Sequence, residues 1–120
     1  MATLTPTLTL NTSDATSSPI SLTFTDILTT ADPVRGLSRQ TITTADNQEI
    51  VDNGLDAMMY VYVKNLDGTN YVSLQTTAGV VWGRLNPGEF CFFCIQPDAG
   101  LEVRANTASC KIEFAYWTKG

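Results

Sequence analysis

The chain contains no histidine. That removes the commonest general base, the usual partner of a serine or cysteine nucleophile, and the commonest neutral metal ligand. Basic residues are scarce as well: seven Lys and Arg stand against twelve Asp and Glu, a net charge of -5 over 120 residues. The seven are scattered, whereas binding to a nucleic-acid backbone depends on clustered cations that displace counterions, so nucleic acid is not an expected partner. No apolar run approaches the about 18 residues that a membrane span requires, so no membrane partner is expected either. Nor does any segment sustain an apolar repeat of 3.6 residues; the expectation is little or no helix, with room for one short turn near residues 25–30. Cysteine is limited to three, an odd number that favours free thiols over a disulfide framework. Met1-Ala2-Thr3-Leu4-Thr5-Pro6 has neither a basic cluster nor an apolar stretch of the targeting type, and synthesis in the cytoplasm of the producing cell is expected.

What the chain does have is alternation. Thr3-Leu4-Thr5, Thr7-Leu8-Thr9-Leu10 and Ile20-Ser21-Leu22-Thr23-Phe24-Thr25 each place apolar side chains at every second position, the period of a half-buried strand. Between the last two lies a cluster of turn formers, residues 11–19, which continues neither strand. From residue 29 to residue 56 the signal weakens. Ala31-Asp32-Pro33 reads as a break, residues 37–44 as a strand, and the acidic stretch from Asp46 to Asp56 as a solvated loop.

The second half is clearer. Ala57-Met58-Met59-Tyr60-Val61-Tyr62-Val63 is apolar on both faces and fits a central strand, closed by the turn Asn65-Leu66-Asp67-Gly68. Residues 71–76 alternate again. Val80-Val81-Trp82 leads to Asn86-Pro87-Gly88, where the fixed φ of Pro and the freedom of Gly make a tight turn. Glu89-Phe90-Cys91-Phe92-Phe93-Cys94-Ile95 follows as an apolar strand, and residues 101–105 and 112–117 end the pattern. The expectation is one all-β domain over residues 1–120, an antiparallel β-sandwich of jelly-roll-like character with about eight to ten short strands.

Candidate chemistry is thin. Glu89, Glu102 and Glu113 are each flanked by apolar residues and are expected to point outward from the pleat, not across a shared cleft as paired catalytic acids must. Cys91 and Cys94 have CxxC spacing, but positions three apart on a strand diverge, and a zinc site would need four ligands where only Cys110 remains to be added. Buried thiols are the expected role. The oxygens of residues 46–56 lack the spacing and central Gly of an EF-hand loop. Tyr60, Tyr62, Tyr71, Trp82, Tyr116 and Trp117 could line a carbohydrate-binding face, though aromatics on strands more often serve core or interface. No enzyme activity, metal or cofactor is expected.

The strand Tyr60-Val61-Tyr62-Val63-Lys64-Asn65, the polar hairpin after it, Leu85-Asn86-Pro87-Gly88-Glu89-Phe90 entering an aromatic strand, and the final pair Leu101-Glu102-Val103-Arg104-Ala105 and Ile112-Glu113-Phe114-Ala115-Tyr116 form a recognisable series. It resembles the small β-sandwich structural proteins of tailed bacteriophages, in particular those that decorate or cement capsids. The resemblance implies a protein synthesised in the host cytoplasm and carried on the capsid surface of the virion. Its implied partners are the major capsid protein and further copies of itself as a homo-oligomer. A place in the tail, collar or fibre, or a glycan-binding receptor module, is the alternative. The Thr-rich segment, within a candidate N-terminal arm of residues 1–19, supplies the candidate partner-binding residues Thr3, Leu4, Thr5, Thr7 and Leu8, since an extended arm can add a strand to a neighbour's sheet; the alternative is that it forms the first strand of its own sandwich.

Overall fold

The computed structural model describes residues 2–120, and its chain contacts divide into two compact units, residues 2–31 with Gly120 and Asp32–Lys119. Every element is a strand: β1 (Ala2–Leu4), β2 (Thr7–Thr12), β3 (Ile20–Thr25), β4 (Leu28–Ile42), β5 (Glu49–Val51), β6 (Met59–Asn65), β7 (Val72–Gln75), β8 (Val81–Leu85), β9 (Phe90–Ile95), β10 (Leu101–Ala105) and β11 (Cys110–Lys119). The all-β class and antiparallel sandwich-like architecture hold, with eleven strands in place of eight to ten and no helix among the described residues.

In the N-terminal unit, β2 and β3 pair as an antiparallel hairpin, with Leu8 opposite Phe24 and Leu10 opposite Leu22. The alternating sequence thus becomes two rows. Thr7, Thr9, Thr23 and Thr25 form a hydroxyl ladder on one side, with Oγ1 to Oγ1 distances of 3.0 Å for Thr7 and Thr25 and 3.3 Å for Thr9 and Thr23. β1 pairs with the first residues of β4, Thr3 against Thr29 and Leu4 against Leu28.

The second unit is a sandwich of two sheets, in the orders β4-β11-β6-β9 and β5-β10-β7-β8. The inward rows of both supply the core: Val61 and Val63 from β6, Ile112 and Phe114 from β11, Val72 and Leu74 from β7, Leu101 and Val103 from β10, with Ile42, Val51, Met59 and Leu85 around them. β6 is central, between β11 and β9, as its apolar run indicated. The Asn86-Pro87-Gly88-Glu89 turn forms as its residues dictate, with Gly88 at φ 79° and the Glu89 amide donating to the Asn86 carbonyl at 3.0 Å. Gly100 is tighter still: at φ 67° its Cα hydrogens face Asn53, and a Cβ placed there would lie 2.9 Å from the Asn53 nitrogen.

Three local expectations are corrected. Ala31-Asp32-Pro33 is no break, because β4 runs through it as a strand of 15 residues; Pro lacks only an amide, and an edge strand can spare one. Residues 28–30 are strand and not a helical turn. The acidic stretch is not a plain loop, since β5 within it buries Ile50 and Val51.

Candidate interaction surface

Thr7 and Leu8 lie in β2, Thr3 and Leu4 in β1, and Thr5 in the short link between those strands. Leu8, Leu10, Ile20, Leu22 and Phe24 share the hairpin face opposite the threonine ladder. On this face Leu8 is 50% and Phe24 65% exposed, and no charged residue occurs in either strand. A two-stranded ribbon with an open apolar face is marginal in water by itself, and single scattered apolar residues would carry no such meaning.

A second apolar surface lies on the sandwich. In β9 the side chains alternate: Cys91, Phe93 and Ile95 pack against the core, while Phe90, Phe92 and Cys94 face out beside Lys64, Tyr62 and Tyr60 of β6. Phe92 and Tyr60 stack at 6.5 Å between ring centroids, and Phe93 meets Trp82 of β8 edge-on at 5.4 Å. Phe90 is 68% exposed. The CxxC pair therefore diverges as extended geometry requires, but Cys94 is exposed, which corrects the expectation of uniformly buried thiols. Burial pushes the Cys91 thiol up to about 11 and raises that of Cys110, where the charge of Asp67 adds to the effect. Neither is poised as a nucleophile.

On the outer row of β11, Glu113 accepts hydrogen bonds from the Tyr62 hydroxyl at 2.9 Å and from Arg39 Nε at 3.3 Å. The Tyr62 bond does most to hold Glu113 below the ordinary carboxylate range, and Arg39 assists. Tyr62 is pushed up to about 12, first by burial and then by the bond to Glu113 and its charge.

Glu102 is the surprise among the acids. It does not stand out in solvent but is buried on β10, against Gln75 and Glu49 on the flanking strands, and no protein donor reaches its Oε1. It borders a cleft of about 480 Å³ with Asp46, Asn47, Gln75, Thr77 and Arg104. Asp46 is engaged there by Arg104 at 2.9 Å. The other carboxylates of this stretch serve the backbone: Asp52 accepts from the Gly54 amide at 2.8 Å and Glu49 from that of Asn53 at 3.3 Å. Among the described residues no cluster of three or more Cys, Asp or Glu side chains gathers as a metal would require, and no helix is long and apolar enough to cross a membrane.

No protein-family model, no curated protein and no solved structure matches the chain.

Proposed function

We propose that this chain is a structural protein of a virus particle, a capsid decoration or cement protein that binds the major capsid protein and stabilises the head. The observation that carries the reading is the open face of the β2–β3 hairpin, with Leu8 and Phe24 at least half exposed on a ribbon that has no third strand. Such a face gains its stability from a partner surface, and a charge-free one loses nothing by dehydration of ions. The candidate arm is thus a hairpin that docks by its face, with Leu8 as a contact residue and Thr7 on the rear ladder. The strand orders β4-β11-β6-β9 and β5-β10-β7-β8 support a jelly-roll reading, an architecture that serves capsid and lectin domains alike. Fold alone does not choose between those, and the hairpin favours protein over sugar because its face is apolar apart from Thr12 at one end, whose hydroxyl already accepts from the Ala15 amide at 3.0 Å.

The test uses particles of the phage that encodes the chain, stripped of it and then reconstituted. The purified protein should co-sediment with heads in fixed copy number and raise their resistance to heat and osmotic shock, because it binds the assembled state alone. Leu8→Lys with Phe24→Lys should abolish both effects while leaving the sandwich folded. A protein that ignores heads but adheres to host cells and is released by free sugar would end this reading in favour of a receptor module.

A further inference from the structure

We infer that β9 is a self-pairing edge, through which two copies of this chain join antiparallel about a two-fold axis at Phe92. The inference is independent of the capsid reading and begins with the four edges of the sandwich. β4 is covered by β1 at residues 28–30 and beyond them carries Asp32, Pro33, Arg35 and Arg39, residues that discourage strand addition. β5 is three residues long and pairs with β10 through a register shift. β8 has a shift opposite Leu74 and Gln75, with Trp82 as the extra residue, and carries Arg84. Bulges and short strands spoil an edge for a neighbour. β9 has none of these guards: six residues, Phe-Cys-Phe-Phe-Cys-Ile, in unbroken register with β6 and without charge or proline.

The hydrogen-bonding direction of β9 follows from its partner. The Asn65 amide donates to the Glu89 carbonyl at 2.9 Å and its carbonyl accepts from Gly88 at 3.0 Å, while the Leu66 amide turns the other way, to Lys111. Alternation along β6 then directs Val63 and Val61 toward Cys91 and Phe93. Phe90, Phe92 and Cys94 are left with their amides and carbonyls at the open edge.

A second copy is the occupant these features select. In an antiparallel pair that continues the sheet, facing residues share a face, so a two-fold axis must pass through a residue and not between two. Placed at Phe92, it sets Phe92 against its counterpart and Phe90 against Cys94, all outward-facing and all with free backbone groups. The three pairs exchange about six hydrogen bonds. Each copy carries a net charge of -5, so self-association is opposed wherever acids meet; β9 is a surface on which they do not. Two-fold pairing uses up both edges and closes, which stops growth into a filament.

Sedimentation of the full chain over a concentration series tests this, together with amide exchange at low and high concentration. The wild type should form a dimer, with the Phe92 amide protected only where the dimer is populated. Phe92→Lys should raise the dissociation constant about tenfold or more, although lysine offsets part of the net negative charge and would weaken general repulsion. Phe92→Pro serves as a second variant, because the amide it removes bonds to nothing within the chain. Phe24→Lys, on the hairpin, should leave the dimer intact. A monomer at every concentration, a Phe92 amide that exchanges equally fast throughout, or a dimer that survives Phe92→Lys and dissociates on Phe24→Lys would each overturn the inference.

Discussion

Glu113 stands between a phenol and a guanidinium, and both neighbours favour its ionised form. A carboxyl whose folded pKa lies below its unfolded value of 4.5 contributes stability that is present above that pH and lost as pH falls through the folded value. Tyr62 works in the opposite sense, since a phenol raised to about 12 contributes below pH 10, its ordinary value, and loses that contribution as pH rises toward 12. Tyr62→Phe removes the bond that matters most to Glu113. Urea unfolding over a pH series should therefore show a shallower acid limb below pH 4.5 in Tyr62→Phe than in the wild type, and the tyrosinate absorbance that rises near pH 12 should be lost. An unchanged acid limb would assign the lowered Glu113 to other causes. Glu102 shows how far residue-scale reading reaches. Its place on the outward row of an alternating strand was legible from Leu101-Glu102-Val103, but outward did not mean exposed: Glu102 is buried between Glu49 and Gln75 on the flanking strands β5 and β7. Such cover is decided by chain segments distant in sequence.

At the scale of elements, one buried side chain binds several turns together. Asn65 is fully buried at the end of β6; its Nδ2 donates to the carbonyls of Asn70 at 2.9 Å and Leu85 at 3.0 Å, and its Oδ1 accepts from the Asp67 amide at 2.9 Å. It thereby fastens the turn after β6 to the end of β8 in the opposing sheet. Asn65→Ala strips the buried Leu85 carbonyl and the part-buried Asp67 amide of this partner and leaves the Asn70 carbonyl only the Cys110 thiol at 3.8 Å, and should destabilise the fold by about 2–4 kcal/mol in urea unfolding. A cost below about 1 kcal/mol would mean that the turn rearranges to recover those bonds. The sequence marked the Asn65-Leu66-Asp67-Gly68 turn but gave no sign that its asparagine reached across the sandwich. Strands β6, β9, β10 and β11 were legible because apolar runs and period-two rows coincide with Pro and Gly stops. β4 was legible only in its second half, where residues 37–44 read as a strand; its first half, through Pro33, is mostly exposed and leaves no apolar row to read. β5 was hidden for a different reason: two apolar residues, Ile50 and Val51, are too few to announce a strand between acids.

For the molecule as a whole, the division of apolar residues between the two units sets the order of their stability. The core runs from Ile42 to Phe114, with every member in the second unit, whereas the apolar residues of β2 and β3 are half or more exposed or only partly covered. A unit with its own closed core should fold alone, and a hairpin without one should not. Residues 32–120 are accordingly expected to unfold in one cooperative transition, about 1 kcal/mol or about 4–8 °C in Tm below the full chain. They should also keep the near-ultraviolet signal of Trp82 held edge-on against Phe93. The peptide of residues 2–31 should be largely disordered on its own by circular dichroism. If the shortened chain instead lost its cooperative transition, the N-terminal unit would be an integral part of the fold and its open face no longer free for a partner. If the expectation holds, a stable sandwich carries a weak ribbon whose ordering free energy comes from whatever it binds. Occupied and vacant states of the hairpin should then differ in exchange protection of β2 and β3 while the amides of β6 and β11 stay equally protected in both, and hydrogen exchange on particle-bound against free protein reads that contrast directly.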